Sequence, residues 1–197
     1  MARKSAAIRK EEIIRAALEL IGRKGAGALT TGAIADAVGV SQAAVFRHFP
    51  TKSAIVFACV DWIGDQVRPA VDTAAAEPGS PEQRLRRIIS TLLAVSRHIP
   101  AMPTTMLSRE MHAEFPELKE MLRERRRGLH QTLVVQLDRG RADGTLRPDL
   151  ESGTAAYLLM GMVHSLLFRW HHIDHDLDLD REVTVMLDIL FDGLIRR

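Results

Sequence analysis

Apolar residues recur along this chain at steps of three and four, the spacing that lines one face of an α-helix, and no stretch of length alternates with the two-residue period of a strand. From Ile8 onward Ile14, Ala17, Leu18 and Ile21 define a first helix, which Gly25-Ala26-Gly27 ends. Thr30 and Thr31 offer an N-cap to a short helix running through Val38 and closed by Gly39, and Ser41 caps a second short helix reaching about His48. Pro50-Thr51-Lys52 opens a fourth, carried by Ile55, Val56, Val60, Ile63 and Val67, with Pro69 as the expected kink. Glu77-Pro78-Gly79-Ser80-Pro81 is the clearest break. Beyond it Leu85, Ile88, Ile89, Leu92, Leu93 and Val95 mark a fifth helix, and Pro100-Ala101-Met102-Pro103 interrupts before a shorter one ending near His112. Pro116 starts a long helix with Leu118, Met121, Leu122, Leu129, Leu133, Val134 and Leu137 inward and Arg123-Glu124-Arg125-Arg126-Arg127 solvated; Asp143-Gly144 stops it. Asp149 is the expected cap of the next, through Trp170, and the last spans about Asp180 to Ile195. The pattern predicts an all-α fold.

The last two segments are apolar on more than one face. Tyr157-Leu158-Leu159-Met160-Gly161-Met162-Val163 leaves little polar surface, and the final helix carries Val183, Met186, Leu187 and Leu190 plus a second set, Val185 and Ile189. A helix apolar on all sides has to be covered on all sides. A second copy is the expected cover, closed by two-fold symmetry, with Gly153, Gly161 and Ser165 small enough to admit another helix. The alternative is a central core helix inside a monomer.

Composition narrows the class. With 197 residues, 46% of them hydrophobic, the chain buries a core as one domain or two small ones. The basic start Met1-Ala2-Arg3-Lys4 lacks the apolar stretch of a secretory signal, and no run approaches the roughly 18 residues of a membrane span. The single cysteine, Cys59, excludes an internal disulfide and lies in the apolar run Ala54 to Val60, so a buried structural thiol and a reducing cytoplasm are expected. The net charge of +2 hides an asymmetry: through Lys52 there are nine Lys/Arg against four acids, an excess of five, and the remainder is mildly acidic. A basic first quarter points to a polyanion there and to another task for the rest.

The stretch Thr30 to Phe49 has the form of a helix-turn-helix. Ile34, Ala35 and Val38 face inward on its first helix and Val40, Val45 and Phe49 on its second, with Gly39 taking the turn. Ser41 begins the second helix, the one that in such motifs enters the major groove, and its outer side presents Gln42, Ala44, Arg47 and His48. Glutamine pairs bidentately with adenine and arginine with guanine, while an alanine methyl touches the thymine methyl.

Thr30, Ile34-Ala35, Gly39-Val40-Ser41, Phe46, His48-Phe49 and Lys52 together resemble the TetR family of bacterial regulators, with a weaker likeness through Leu146-Arg147-Pro148-Asp149-Leu150 and the helix from Gly161 to Trp170. The resemblance implies a nine-helix fold, with a helix-turn-helix DNA-binding domain over residues 1–52 and a helical ligand-binding and dimerisation domain over residues 53–197. It implies a homodimer joined through the last two helices, and a repressor released from a double-stranded operator by a small molecule. It assigns phosphate contacts to Thr30, Thr31, Phe46, His48 and Lys52, and base contacts to Gln42, Ala43, Ala44 and Arg47, beside Ser41 at the helix N-terminus. The family more often has tyrosine at position 46 and glycine at 43, so one phosphate hydrogen bond is lost here and the approach at Ala43 is limited by a methyl.

No Gly-rich phosphate loop, nucleophile elbow or His-Glu-x-x-His stands in the chain, so no catalytic residue and no cofactor is expected. His171, His172 and His175, with His164 earlier, suggest a metal-dependent sensor or enzyme as an alternative, though carboxylates and imidazoles are the only ligands on offer. A third possibility keeps the DNA reader and makes the body a docking surface for a protein. For a largely apolar effector the candidate contacts are Met102, Met106, Arg109, His112, Met121 and Met160, with His98 as a further polar group.

Overall fold

The structure, a computed structural model, describes residues 5–194, excepting the side chains of Met106, Leu107 and Leu194. It contains ten α-helices and no strand among the described residues: α1 (Ala6–Lys24), α2 (Thr31–Val38), α3 (Gln42–His48), α4 (Lys52–Ala76), α5 (Pro81–His98), α6 (Ala101–Leu107), α7 (Arg109–Glu114), α8 (Leu118–Ala142), α9 (Ser152–His172) and α10 (Leu179–Leu194). Ile195, expected at the end of the last helix, lies outside the described residues.

Capping explains most boundaries. Ser5 accepts from the Ile8 amide, and Gly25, at φ 80°, takes the backbone past the end of α1. Ser80 and Gln83 form a reciprocal box: the Gln83 amide donates to the Ser80 hydroxyl and the Ser80 amide to the Gln83 side chain, with Pro81 at the first helical position of α5. Thr51 accepts from the Ala54 amide and so caps α4, which continues unbroken through Pro69.

Two boundaries differ from the sequence expectation. The single short helix expected after Pro103 is two, because Ser108 leaves helical geometry and caps α7 through the Met111 amide; the count becomes ten. The cap of α9 is Glu151, accepting from the Gly153 and Thr154 amides, not Asp149, which pairs with Arg147 while Leu146 and Leu150 anchor that loop by burial.

The described residues form two compact units, one of residues 5–65 and 99–123 and the other of 66–98 and 124–194. In the first, α1 packs on α2, α3 and α6. Its core holds Ile13, Ala17, Ile21, Leu29, Ile34, Val45, Ile55 and Val56, and Gly22 lets α1 lie close against the start of α6. Cys59 is buried there; its thiol donates to the Ile14 carbonyl at 3.8 Å, and burial pushes its pKa up to about 12, so it stays an unreactive thiol.

In the second unit α5, α9 and α10 pack on one another. Leu85, Ile88, Ile89, Leu133, Leu137, Leu159, Leu166, Leu187 and Phe191 fill its centre. Arg86 ties α5 to α10, bonding Asp188 at 2.7 Å while also bonding Glu82 and lying over the Phe191 ring. The opposite faces of α9 and α10 remain exposed. Tyr157, Leu158 and Phe168 are open on α9, aligned at helical spacing with Gly161 and Ser165, and Val185 and Ile189 are open on α10. Gly153, one turn before Tyr157, is partly buried, with the carboxylate of its own cap, Glu151, beside it.

His164 on α9 is held below the ordinary histidine range, first by burial and then by the Arg126 charge; His171 is lowered by burial and by His172 and His175. A depressed imidazole stays neutral in the fold and protonates more readily once unfolded, so its contribution is full above about pH 6.5 and is lost as pH falls through the lower folded value. Urea midpoints are expected to fall between pH 7.5 and pH 5, and His164→Gln to reduce that fall. Identical pH profiles for the two proteins would show that His164 carries none of the dependence.

Candidate DNA-binding interface

The reader is assembled from local caps. Thr30 accepts from the Ala33 amide and starts α2; Gly39, left-handed at φ 70°, returns its N–H to the Ala35 and Asp36 carbonyls and ends it. Only a residue without a β-carbon adopts that conformation cheaply, so Gly39 fixes the angle between α2 and α3. Ser41 then caps α3 through the Ala44 amide. Ile34 and Ala35 on α2 and Val45 on α3 are buried in the seam, and Phe49 beyond α3 is buried too.

Thr30, Ser41, Gln42, Ala43, Phe46 and Arg47 are exposed, and Thr31, Ala44, His48 and Lys52 are partly so. The ten residues singled out for DNA contact thus lie on or beside α3, at the N-terminus of α2 or at the N-terminus of α4. Phe46 is 41% exposed. Arg47 has no carboxylate partner among the described residues. The Gln42 amide donates to the Thr31 hydroxyl. Basic charge is reinforced by Lys10 of α1, whose ammonium lies 5.8 Å from the centre of the Phe49 ring.

One participant was invisible in the sequence. Lys52 bonds the Glu114 carboxylate at 2.8 Å and sits over the Phe115 ring, so α7 holds the lysine that opens α4. The pair is separated by 62 residues, and no local signal links them.

Of the candidates for effector contact, Met102, Arg109, His112 and Met121 belong to the first unit and Met160 to the second; the Met106 side chain lies outside the described residues. Met102 and Met160 are buried, Arg109 is exposed, and the His112 Nε2 atom is buried without a hydrogen-bond partner among the described residues. His98 is exposed and bonds the Ala94 carbonyl. The metal alternative loses its geometry, because α9 ends at His172 and carries His175 off the helix, and no group of three His, Cys, Asp or Glu among the described residues is placed to hold an ion. No helix among the described residues is long and apolar enough to cross a membrane.

Known proteins agree with the architecture. Residues 13–59 match the family described as bacterial regulatory proteins, tetR family, and residues 78–194 match the tetracyclin repressor-like C-terminal domain. The nucleoid occlusion factor SlmA of Vibrio cholerae is 32% identical over 172 residues, covering 84% of this chain and 85% of SlmA. A TetR/AcrR family regulator from Thermobifida fusca superposes with a TM-score of 0.74 at 26% identity, over 96% of this chain and 100% of that one. FadR of Bacillus subtilis, solved in complex with stearoyl-CoA, superposes with a TM-score of 0.79 at 20% identity, over 93% of this chain and 98% of that one. With both portions matched and a helix-turn-helix exposed between α2 and α3, the chain belongs to the TetR family of DNA-binding bacterial regulators.

Proposed function

We propose that this protein is a dimeric repressor that reads a near-palindromic operator with α3 and releases it when a small, largely apolar ligand binds. The outer side of α3, where Gln42, Ala43 and Arg47 are exposed and Ala44 partly so, is the observation that carries it. Thr30, Thr31, Phe46, His48 and Lys52 serve the phosphates, and Ser41 sets the helix end against them. The exposed stripe of Tyr157, Leu158, Phe168, Val185 and Ile189 supports pairing of two copies through α9 and α10, because contiguous apolar surface of this kind marks an interface. Two recognition helices would then meet half-sites about 34 Å apart, or a multiple of that.

The ligand reading keeps Met102, Met106, Arg109, His112, Met121 and Met160 as the candidate contacts, since methionine side chains adapt to apolar ligands, and draws on the stearoyl-CoA bound by the Bacillus subtilis FadR. Selection of duplexes from a random pool, read by electrophoretic shift at two salt concentrations, tests the DNA half; sequence-blind binding that disappears with salt would refute it. Thermal shifts with an acyl-CoA and fatty-acid series test the ligand half, which fails if only small polar anions stabilise the protein.

Lys52 supplies a quantitative check. Lys52→Ala should weaken every duplex alike and lower the salt slope by about one, the signature of one lost phosphate contact. Glu114→Gln releases the lysine from its partner and should tighten binding to all duplexes by about two- to fivefold, the range a half-exposed ion pair commands. Equal salt slopes for Lys52→Ala and the parent would remove Lys52 from the phosphate contacts.

A second reading, a DNA-bound factor acting through a protein partner, is favoured by the 32% identity to a nucleoid occlusion factor. Chromosomal occupancy separates the two: sites at promoters support the repressor, and sites dispersed without regard to promoters support the second reading.

A further inference from the structure

We propose that Thr31 is a positioning residue that sets the orientation of the Gln42 amide for base reading, an inference that rests on Gln42 being a base reader. Thr31 is the first residue of α2 and Gln42 the first of α3, and the Gln42 Nε2 atom donates to the Thr31 Oγ1 atom at 2.5 Å. The turn at Gly39 brings the two helix starts together, so an eleven-residue separation becomes one hydrogen bond.

The chemistry of the amide gives this bond a consequence. Bidentate pairing with adenine uses the glutamine carbonyl as acceptor from the base amine and one N–H as donor to N7. A glutamine nitrogen carries two hydrogens. One given to Thr31 leaves the other N–H and the carbonyl, which is the set adenine requires, and stops the amide plane from rotating freely. Gln42 is otherwise exposed on a long flexible stem, whose freedom would have to be surrendered at each binding event. The Thr31 hydroxyl, having accepted from Gln42, keeps its own hydrogen for a phosphate oxygen. A single hydroxyl therefore joins the backbone anchor to the base reader, and a phosphate seated at the start of α2 fixes the amide at the start of α3.

The test uses the full-length protein and its selected operator, together with operators changed at the base pair that Gln42→Ala relaxes. Binding constants are measured for the parent, Thr31→Val, Thr31→Ser, Gln42→Ala and the double variant. Thr31→Val keeps the side-chain shape and leaves the cap, Thr30, in place. Its expected effect is a loss of about tenfold in discrimination at that one base pair, on top of a uniform weakening from the lost phosphate contact. Thr31→Ser should restore the discrimination, and in the Gln42→Ala background Thr31→Val should produce only the uniform loss. Thr31→Val weakening every operator equally while Gln42→Ala still relaxes the position would overturn the positioning role and leave the interface standing. Equal losses on all sequences from Gln42→Ala would remove Gln42 from the base readers, and the positioning role with it.

Discussion

Ile189→Glu will yield a folded monomer that no longer holds its operator. Ile189 is 70% exposed on α10, so a carboxylate there disturbs nothing inside the chain. In the proposed two-fold pairing through α9 and α10 the same substitution would occur twice, and each charge would be withdrawn from water against apolar residues such as Val185, Tyr157 and Phe168, all exposed in the single chain. An unpaired buried charge costs several kcal/mol, and each 1.4 kcal/mol is a factor of ten, so the dimer constant should weaken by at least about a thousandfold. Operator affinity falls with it, since a lone recognition helix engages one half-site. Sedimentation equilibrium with circular dichroism checks the first claim and electrophoretic shift the second. A dimer that persists in Ile189→Glu at micromolar concentration would place the two-fold contact elsewhere.

Gly22→Val will unfold more readily than the parent by about 1–3 kcal/mol, the usual cost of overpacking a tight contact. A β-carbon at Gly22 would stand 3.0 Å from the Ala101 nitrogen and 3.1 Å from the Pro100 carbonyl carbon, and both are backbone atoms at the start of α6. No flexible side chain is available to yield, so α1 and α6 have to separate. Gly22→Ala should be milder, because the gain in helix propensity of about 1 kcal/mol offsets part of the strain. Urea denaturation reads both, and an unchanged midpoint in Gly22→Val would mean that the contact gives way without cost.

The helix-turn-helix was legible because everything that builds it is local. Thr30, Gly39 and Ser41 act within three or four residues of themselves, and the inward set Ile34, Ala35 and Val45 follows the helical period. The second apolar face of the last helix was legible for the same reason: Val185 and Ile189 are one turn apart and both exposed. Ser108 was missed because a serine in a run without glycine or proline gives the same signal whether it lies inside a helix or caps the next. Asp149 and Glu151 compete as caps two residues apart, and the choice falls to the burial of Leu146 and Leu150, which the local pattern does not disclose. Glu114 had no signal at all, since its partner lies in another part of the chain.

With Lys52 proposed as a phosphate contact, the Lys52–Glu114 pair would also make α7 a competitor of the nucleic acid. A phosphate and the Glu114 carboxylate both want the same ammonium, and thermodynamic linkage makes that rivalry symmetrical. Whatever draws α7 away frees the lysine and strengthens DNA binding by some factor; DNA, by the same factor, loosens α7. Hydrogen exchange along Arg109–Glu114 should therefore quicken when the operator binds, so that the short helix reports from its own amides whether the reader is occupied.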